Sequence, residues 1–199
     1  MIKTKILTTR DVNEIVIIHK LAFKDAFLTS LGDSFLKLYY KSVIKSNGAV
    51  TIGLFSRNDL LGFAVGAINS DGFNKKLVIE NFISYFLMFI ELFFKNPISI
   101  YRLYKNFSKK SADFDKGNYS ELFSIAVLPE KSSRGLGKKL LLDFEVELKS
   151  YGAKIITLTT DEEKNESVLS FYSKMGYHVY YKFITYPSRK MIKLQKNIK

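Results

Sequence analysis

The sequence predicts an α/β or α+β layer built on a mixed sheet. Three observations predict it. Periodic segments run β-α-α-β-β, then an aromatic helical stretch, then β-α-β-α-β-β. A strand feeds a helix through Gly135-Leu136-Gly137. The length of 199 residues, with 47% hydrophobic and 25% charged residues, suits a single domain, 1–199, carrying a helical insertion at 70–118.

Ile2 to Leu7 reads as the first strand. Thr8, Thr9 and Asp11 offer N-caps to a helix over Val12 to Phe23, whose apolar stripe includes Ile15 and Ile18. Gly32-Asp33-Ser34 opens a second helix to about Lys45, ended by Asn47-Gly48. Ala49 to Ser56 and Leu60 to Ile68 are strands joined at Arg57-Asn58-Asp59, a hairpin by composition. The insertion holds LVIENFISYFLMFIELFF (Leu77 to Phe94), a break at Asn96-Pro97, and a second helical run from Ile98 to Phe107. Glu80 and Glu91 interrupt the apolar stretch, so no transmembrane segment is expected, since a span needs about 20 apolar residues. A helical hairpin packed on the domain, a lid over an acceptor pocket, a homodimer contact and a membrane-resting surface are the readings of these 77–107 helices. Then come a strand (Glu121 to Val127), a helix (Arg134 to Tyr151), a strand (Lys154 to Thr160), a helix (Glu166 to Met175) and two closing strands (Tyr177 to Thr185, Lys190 to Leu194).

Composition narrows the chemistry. With no Cys, disulfides, thiolate nucleophiles and Cys-based metal sites are excluded. His19 and His178 stand far apart and form no ligand pattern, so no metal and no catalytic histidine are expected. The start, MIKTKILTTRDVNE, lacks the apolar core of a signal peptide, and a cytoplasmic location is expected. The formal net charge of +12 attracts polyanions, but the Lys residues are scattered, and nucleic acid is not expected as a partner.

The glycine loop follows the strand LFSIAVLP. A helix N-terminus leaves backbone N–H groups unpaired and carries partial positive charge, and glycine lets a phosphate approach them. A pyrophosphate would fit over Gly135-Leu136-Gly137, with Arg134, Lys138 or Lys139 supplying charge; an ordinary capped turn reads the same way. Asn165 precedes the acidic first turn of the next helix and reads as an N-cap. Tyr172 lies two turns on, on the same helix face, and reads as a core aromatic or as a functional hydroxyl.

Ser132-Ser133-Arg134-Gly135-Leu136-Gly137 after Val127-Leu128-Pro129, followed by Asn165, Tyr172, Gly176 and Tyr177 at their offsets, resembles the GNAT superfamily of acetyl-CoA-dependent N-acetyltransferases. LFSIAVLP looks like the ribosomal-protein N-terminal acetyltransferase branch. Ser132 departs from the family pattern, which has Arg or Gln there. The resemblance implies a GNAT-like mixed, largely antiparallel sheet flanked by helices. It implies acetyl-CoA as co-substrate, without a metal, and a small-molecule or peptide amine as acceptor. Ile125, Ala126 and Val127 would pair with the pantetheine arm. The amides of Ser132, Ser133, Arg134, Gly135, Leu136, Gly137 and Lys138 would hold the pyrophosphate. A β-bulge near Ser124 to Ala126 would aim an amide at the thioester carbonyl. Asn165 would add a coenzyme A contact, and Tyr172 would protonate the departing thiolate. Glu121 stands where some members place a catalytic base, and also reads as a charge at an exposed strand end. Thr160 stands where the N-terminal branch has a Glu, and Asp161 and Glu162 nearby read as solvated loop charges. Two rivals remain at this level: an acyl-CoA-binding regulatory or scaffold module of the same fold, and a basic aromatic module for anionic membrane or nucleic acid.

Overall fold

The computed structural model describes residues 1–95, 97–107, 115–131 and 135–198. Along the chain run β1 (Ile2–Ile6), α1 (Val12–Ala22), α2 (Phe27–Ser30), α3 (Asp33–Lys45), β2 (Ala49–Ser56), β3 (Asp59–Ala67), α4 (Phe73–Glu80), α5 (Phe82–Lys95) and α6 (Pro97–Phe107). There follow β4 (Ser120–Val127), α7 (Leu136–Ser150), β5 (Ile155–Asp161), α8 (Glu166–Lys174), β6 (His178–Thr185) and β7 (Arg189–Asn197). The order agrees with the sequence reading except at two places. A four-residue helix, α2, lies where no periodicity can show one. The apolar stretch divides at Asn81 into two helices, α4 and α5. The Asn81 side-chain amide donates to the Leu77 carbonyl at 3.0 Å, closing α4 locally, while apolar residues continue across the break and hide it.

The start of α1 shows how local chemistry sets an element. Thr8 and Asp11 form a capping box around a single 3-10 turn: the Thr8 amide donates to Asp11 Oδ2 at 2.6 Å and Thr8 Oγ1 accepts from the Arg10 amide at 3.3 Å.

The strands form one seven-stranded sheet in the order β1-β2-β3-β4-β5-β7-β6. Every neighbour pair is antiparallel except β4 and β5, which run parallel. Helices cover both faces of the middle strands, which is why Leu60 to Ala67 of β3 is buried without alternation. On one face α7 and α8 pack through Leu140, Leu141, Phe144 and Tyr172 against Ile52, Ala64 and Ile156. On the other, α1 and α3 pack through Ile15, Ile18, Leu36 and Tyr40 against Phe63 and Val65. Phe144 is fully buried, so truncating it to Ala would cost about 3–5 kcal/mol. A third cluster, with Leu31, Phe35, Tyr85 and Leu92 at its centre, joins α5 to α2 and α3.

Candidate active site

The parallel pair β4–β5 is short. Its register covers only Ser120–Ile156, Glu121–Thr157 and Leu122–Leu158, although β4 continues to Val127 and β5 to Asp161. Past that point the backbones part, leaving β4 and β5 edges without each other's hydrogen bonds. A cleft of about 650 Å³ opens there, lined by Ser124 and Ile125 from β4, Thr159 and Thr160 from β5, and Asn165 and Tyr172 around α8. Phe23 to Ala26, between α1 and α2, closes one side.

A bulge marks the start of the split. Val65 pairs with Ser124 and Gly66 with Leu122, so Phe123 is the extra residue in β4. It sits one residue before the 124–126 span expected from the sequence. Its consequence is a change of phase. Leu122, Ile125 and Val127 pack on the α7 side, whereas Phe123 packs on the α1–α3 side and Ser124 hydrogen-bonds Tyr40 of α3. Gly66 makes the close approach possible. A Cβ there would stand 2.2 Å from the Glu121 carbonyl oxygen and 2.7 Å from the Phe144 ring.

Asn165 stands at the N-cap of α8 but its side chain does not cap the helix. Its Nδ2 instead donates to Thr160 Oγ1 at 2.8 Å and to the Asp161 carbonyl at 2.9 Å, fixing α8 to the end of β5. Tyr172 is buried against Phe171 and Tyr177, with ring centroids 5.2 and 5.5 Å away. Burial pushes its phenol above the ordinary range, so the hydroxyl is protonated at neutral pH. It is one of the residues that line the cleft.

Glu121 lies outside the residues lining this cleft and is already engaged. It accepts a hydrogen bond from Ser70, and its other oxygen lies 3.5 Å from Lys193 Nζ. Lys193, on β7, also lies 3.5 Å from Asp115 and over the Tyr119 ring at 4.4 Å. Tyr119 and Tyr181 both donate to Asp115. Burial works against the Asp115 carboxylate, but the Tyr181 and Tyr119 hydrogen bonds and Lys193 outweigh it and hold its pKa below the usual value. The exposed-charge reading of Glu121 is therefore corrected: a buried ammonium needs its counter-charges, and Glu121 is one of them.

His19 lines the cleft from α1, buried, with Nδ1 2.6 Å from the Tyr40 hydroxyl and Nε2 without a partner among the described residues. Burial pushes its pKa down to about 4, so it is neutral at physiological pH. Sequence reading had no means to place it here. Asp161 is not a free loop charge: its two oxygens accept from Arg189 Nε and a terminal nitrogen, both residues lining the cleft, and Glu162 pairs with Lys182 at 2.5 Å.

At the far end of β4, Gly135 occupies the N-cap of α7 with φ of +74°, the left-handed region. Leu136 is buried, and Gly137 and Lys138 follow in the first turn. Among the described residues, none outside the glycines' own chain neighbours and helix backbone has a heavy atom within 4 Å of a Cβ added at Gly135 or Gly137. Ser132, Ser133 and Arg134 lie outside the described residues. Ala126 is buried under α1 and α3, and with Val127 it lies beyond the cleft lining, paired with β3. The structure thus brings Ile125, Asn165 and Tyr172 together in one cleft and leaves Glu121 beside it. Among the described residues no group of His, Asp and Glu could hold a metal ion.

Several solved N-acetyltransferases share this architecture. The ribosomal-protein-S18-alanine N-acetyltransferase of Escherichia coli aligns with a TM-score of 0.62 at 16% identity, over 100% of this chain and 95% of that one. The PaiA N-acetyltransferase of Thermoplasma acidophilum, solved with coenzyme A, aligns with a TM-score of 0.60 at 18% identity, over 100% and 99%. Naa20 of Chaetomium thermophilum, solved with a bisubstrate analogue, aligns with a TM-score of 0.61 at 15% identity, over 98% and 86%. At these identities the likeness is one of fold. No curated protein matches in sequence. The acetyltransferase (GNAT) family model matches residues 18–177, which spans the split sheet, the glycine loop and α8. The chain therefore belongs to the acetyltransferase (GNAT) family and is an acyltransferase of that type.

Proposed function

We propose that the protein transfers an acetyl group from acetyl-CoA to a primary amine by direct attack, with both substrates bound together in the split between β4 and β5. The observation that carries this reading is the parting of the two strands beside the protonated hydroxyl of Tyr172. The family's co-substrate fits the residues present: the glycine end of α7 suits a pyrophosphate, and the unpaired edge of β4 suits an amide-bearing arm. When bound, acetyl-CoA supplies the activated acyl group as a thioester.

The chain's own residues divide the work. The amides of Leu136, Gly137 and Lys138 face the phosphates with the helix dipole behind them. The backbone of Ile125 would pair with the arm, as Ala126 and Val127 would further along; the family resemblance gives Ser132, Ser133 and Arg134, outside the described residues, to the same phosphate loop. The bulge at Phe123 redirects a β4 amide toward the acyl carbonyl, where it stabilises developing negative charge. Asn165 holds the end of β5 against α8 and adds a polar contact. Tyr172 donates its proton to the departing sulfur. Glu121, two residues before the bulge, takes the proton of the incoming ammonium through solvent, since an alkyl amine with a pKa of about 10 arrives charged. On this reading the helices between β3 and β4 are an insertion beside the acceptor side; in support, Leu28 lines the cleft and also packs in the cluster with α5.

Release of free thiol from acetyl-CoA across a panel of amines, among them peptide amino termini, amino sugars and polyamines, tests the reading. Turnover on at least one amine is expected. One observation favours a second reading, a coenzyme-binding module without turnover: Glu121 is held by Lys193 and Ser70. Thermal stabilisation by coenzyme A with no thiol release on any amine would select it.

A further inference from the structure

Helices α4 and α5 turn an apolar face outward that the fold leaves bare. On α5, Tyr85 and Leu92 face inward to α3, where the Tyr85 ring lies 6.4 Å from that of Phe35. On the opposite side Phe82, Ile83, Phe86, Leu87, Phe93 and Phe94 are 52–80% exposed. Their i, i+4 and i, i+11 spacing makes one continuous stripe. Phe and Leu gathered in such number seldom face water alone.

Charge identifies what covers the stripe. Lys75 and Lys76 on α4, Lys95 at the end of α5 and Lys105 on α6 are all exposed. Glu80 and Glu91 pair with Lys76 at 3.7 Å and Lys95 at 2.7 Å, so of these four lysines Lys75 and Lys105 carry the excess positive charge. A second copy of this chain would set another body of charge +12 against the first. A bilayer with anionic headgroups would accept both the apolar stripe and its lysines. Where α6 meets the β6–β7 turn, Tyr101 and Tyr186 pack edge-on at 5.4 Å, both part-exposed, with Lys105 over the Tyr101 ring. Such amphipathic rings suit the headgroup level.

We propose that the exposed face of α5, with its flanking lysines, rests on an anionic lipid bilayer. The helices lie on the surface and do not cross it. Among the described residues no single helix is long and apolar enough to span; α4 and α5 reach that length and composition only as a pair, which is bent by 91°. Tyr85 and Leu92 keep α5 on the fold while its outer side enters the acyl boundary.

Co-sedimentation with phosphatidylcholine vesicles, with and without phosphatidylglycerol, tests this on the full chain. The bound fraction is expected to rise about tenfold with the anionic lipid and to fall with salt. Phe86→Ser with Phe93→Ser is expected to remove most of the binding, and Leu87→Gln part of it. Unchanged thermal unfolding and unchanged stabilisation by coenzyme A show that the variants fold. A wild-type chain that stays in the supernatant with anionic vesicles overturns the proposal. So does a dimer in sedimentation velocity that the double variant dissociates, with no lipid binding by either form.

Discussion

Tyr172 in the cleft and Glu121 beside it are held in opposite ways. On the α8 side, Tyr172 presents a protonated hydroxyl whose only perturbation is burial. On the β4 side, Glu121 belongs to a set with Ser70, Lys193, Asp115, Tyr119 and Tyr181. The difference teaches that the group proposed as proton donor is held by packing alone, whereas the carboxylate proposed as proton acceptor also has structural work. Removing a member of that set should be felt first in stability, and removing the Tyr172 hydroxyl first in rate.

The largest expected effect comes from breaking the β4 set at its cation. Lys193→Met leaves Asp115 and Glu121 facing each other without an ammonium, and is expected to cost about 3–5 kcal/mol in denaturant unfolding. A loss below about 1 kcal/mol would show that the set is loosely held and that Glu121 is as free as Tyr172.

Next is Gly66→Ala, which places a Cβ against the Glu121 carbonyl and the Phe144 ring. A loss of about 2–4 kcal/mol in thermal unfolding is expected, with coenzyme A binding weakened because the bulge and the split shift together.

His19 sharpens the contrast through pH. Its folded pKa of about 4 lies below the usual 6.5, so the unfolded chain binds the extra proton between those values. Stability is therefore full above about pH 6.5 and falls as pH drops toward 4, by up to roughly 3 kcal/mol. His19→Asn should flatten that part of the unfolding profile; an unchanged slope would assign it to the carboxylates.

Glu121→Gln keeps a side chain that can still bond Ser70, so a stability loss near 1 kcal/mol is expected. If Glu121 accepts the ammonium proton, kcat/KM for the amine should drop about 10²-fold or more at pH 7 and recover as pH approaches the amine's own pKa. A drop in stability without any change in that pH profile would leave Glu121 as a counter-charge to Lys193. The smallest effect is expected from Arg189→Ala. Its pair with Asp161 is part-exposed, and unfolding should change by less than about 1 kcal/mol.

Much of this fold was legible because its signals are local. The strand–glycine–helix run at 121–150 and the Asn165–Tyr172 helix carry their own periods, and their ends fall within about two residues of the expected ones. What stayed hidden is long-range. Lys193 meets Asp115 across 78 positions and Tyr181 meets Asp115 across 66, contacts that no window contains. The bulge at Phe123 depends on the approach of Gly66 from another strand. Asn165 looked like a helix cap, yet its amide turns back to Thr160 and Asp161, partners supplied by the split itself. The break at Asn81 was masked by apolar residues running through it.

The central claim is that this cleft transfers an acetyl group with Tyr172 as the proton donor. Steady-state turnover of Tyr172→Phe beside the wild type, on whichever amine gives thiol release, tests it most directly. The account predicts kcat lower by about 10²–10⁴-fold, with the affinity for coenzyme A and the unfolding temperature nearly unchanged. A variant that turns over at the wild-type rate would contradict it.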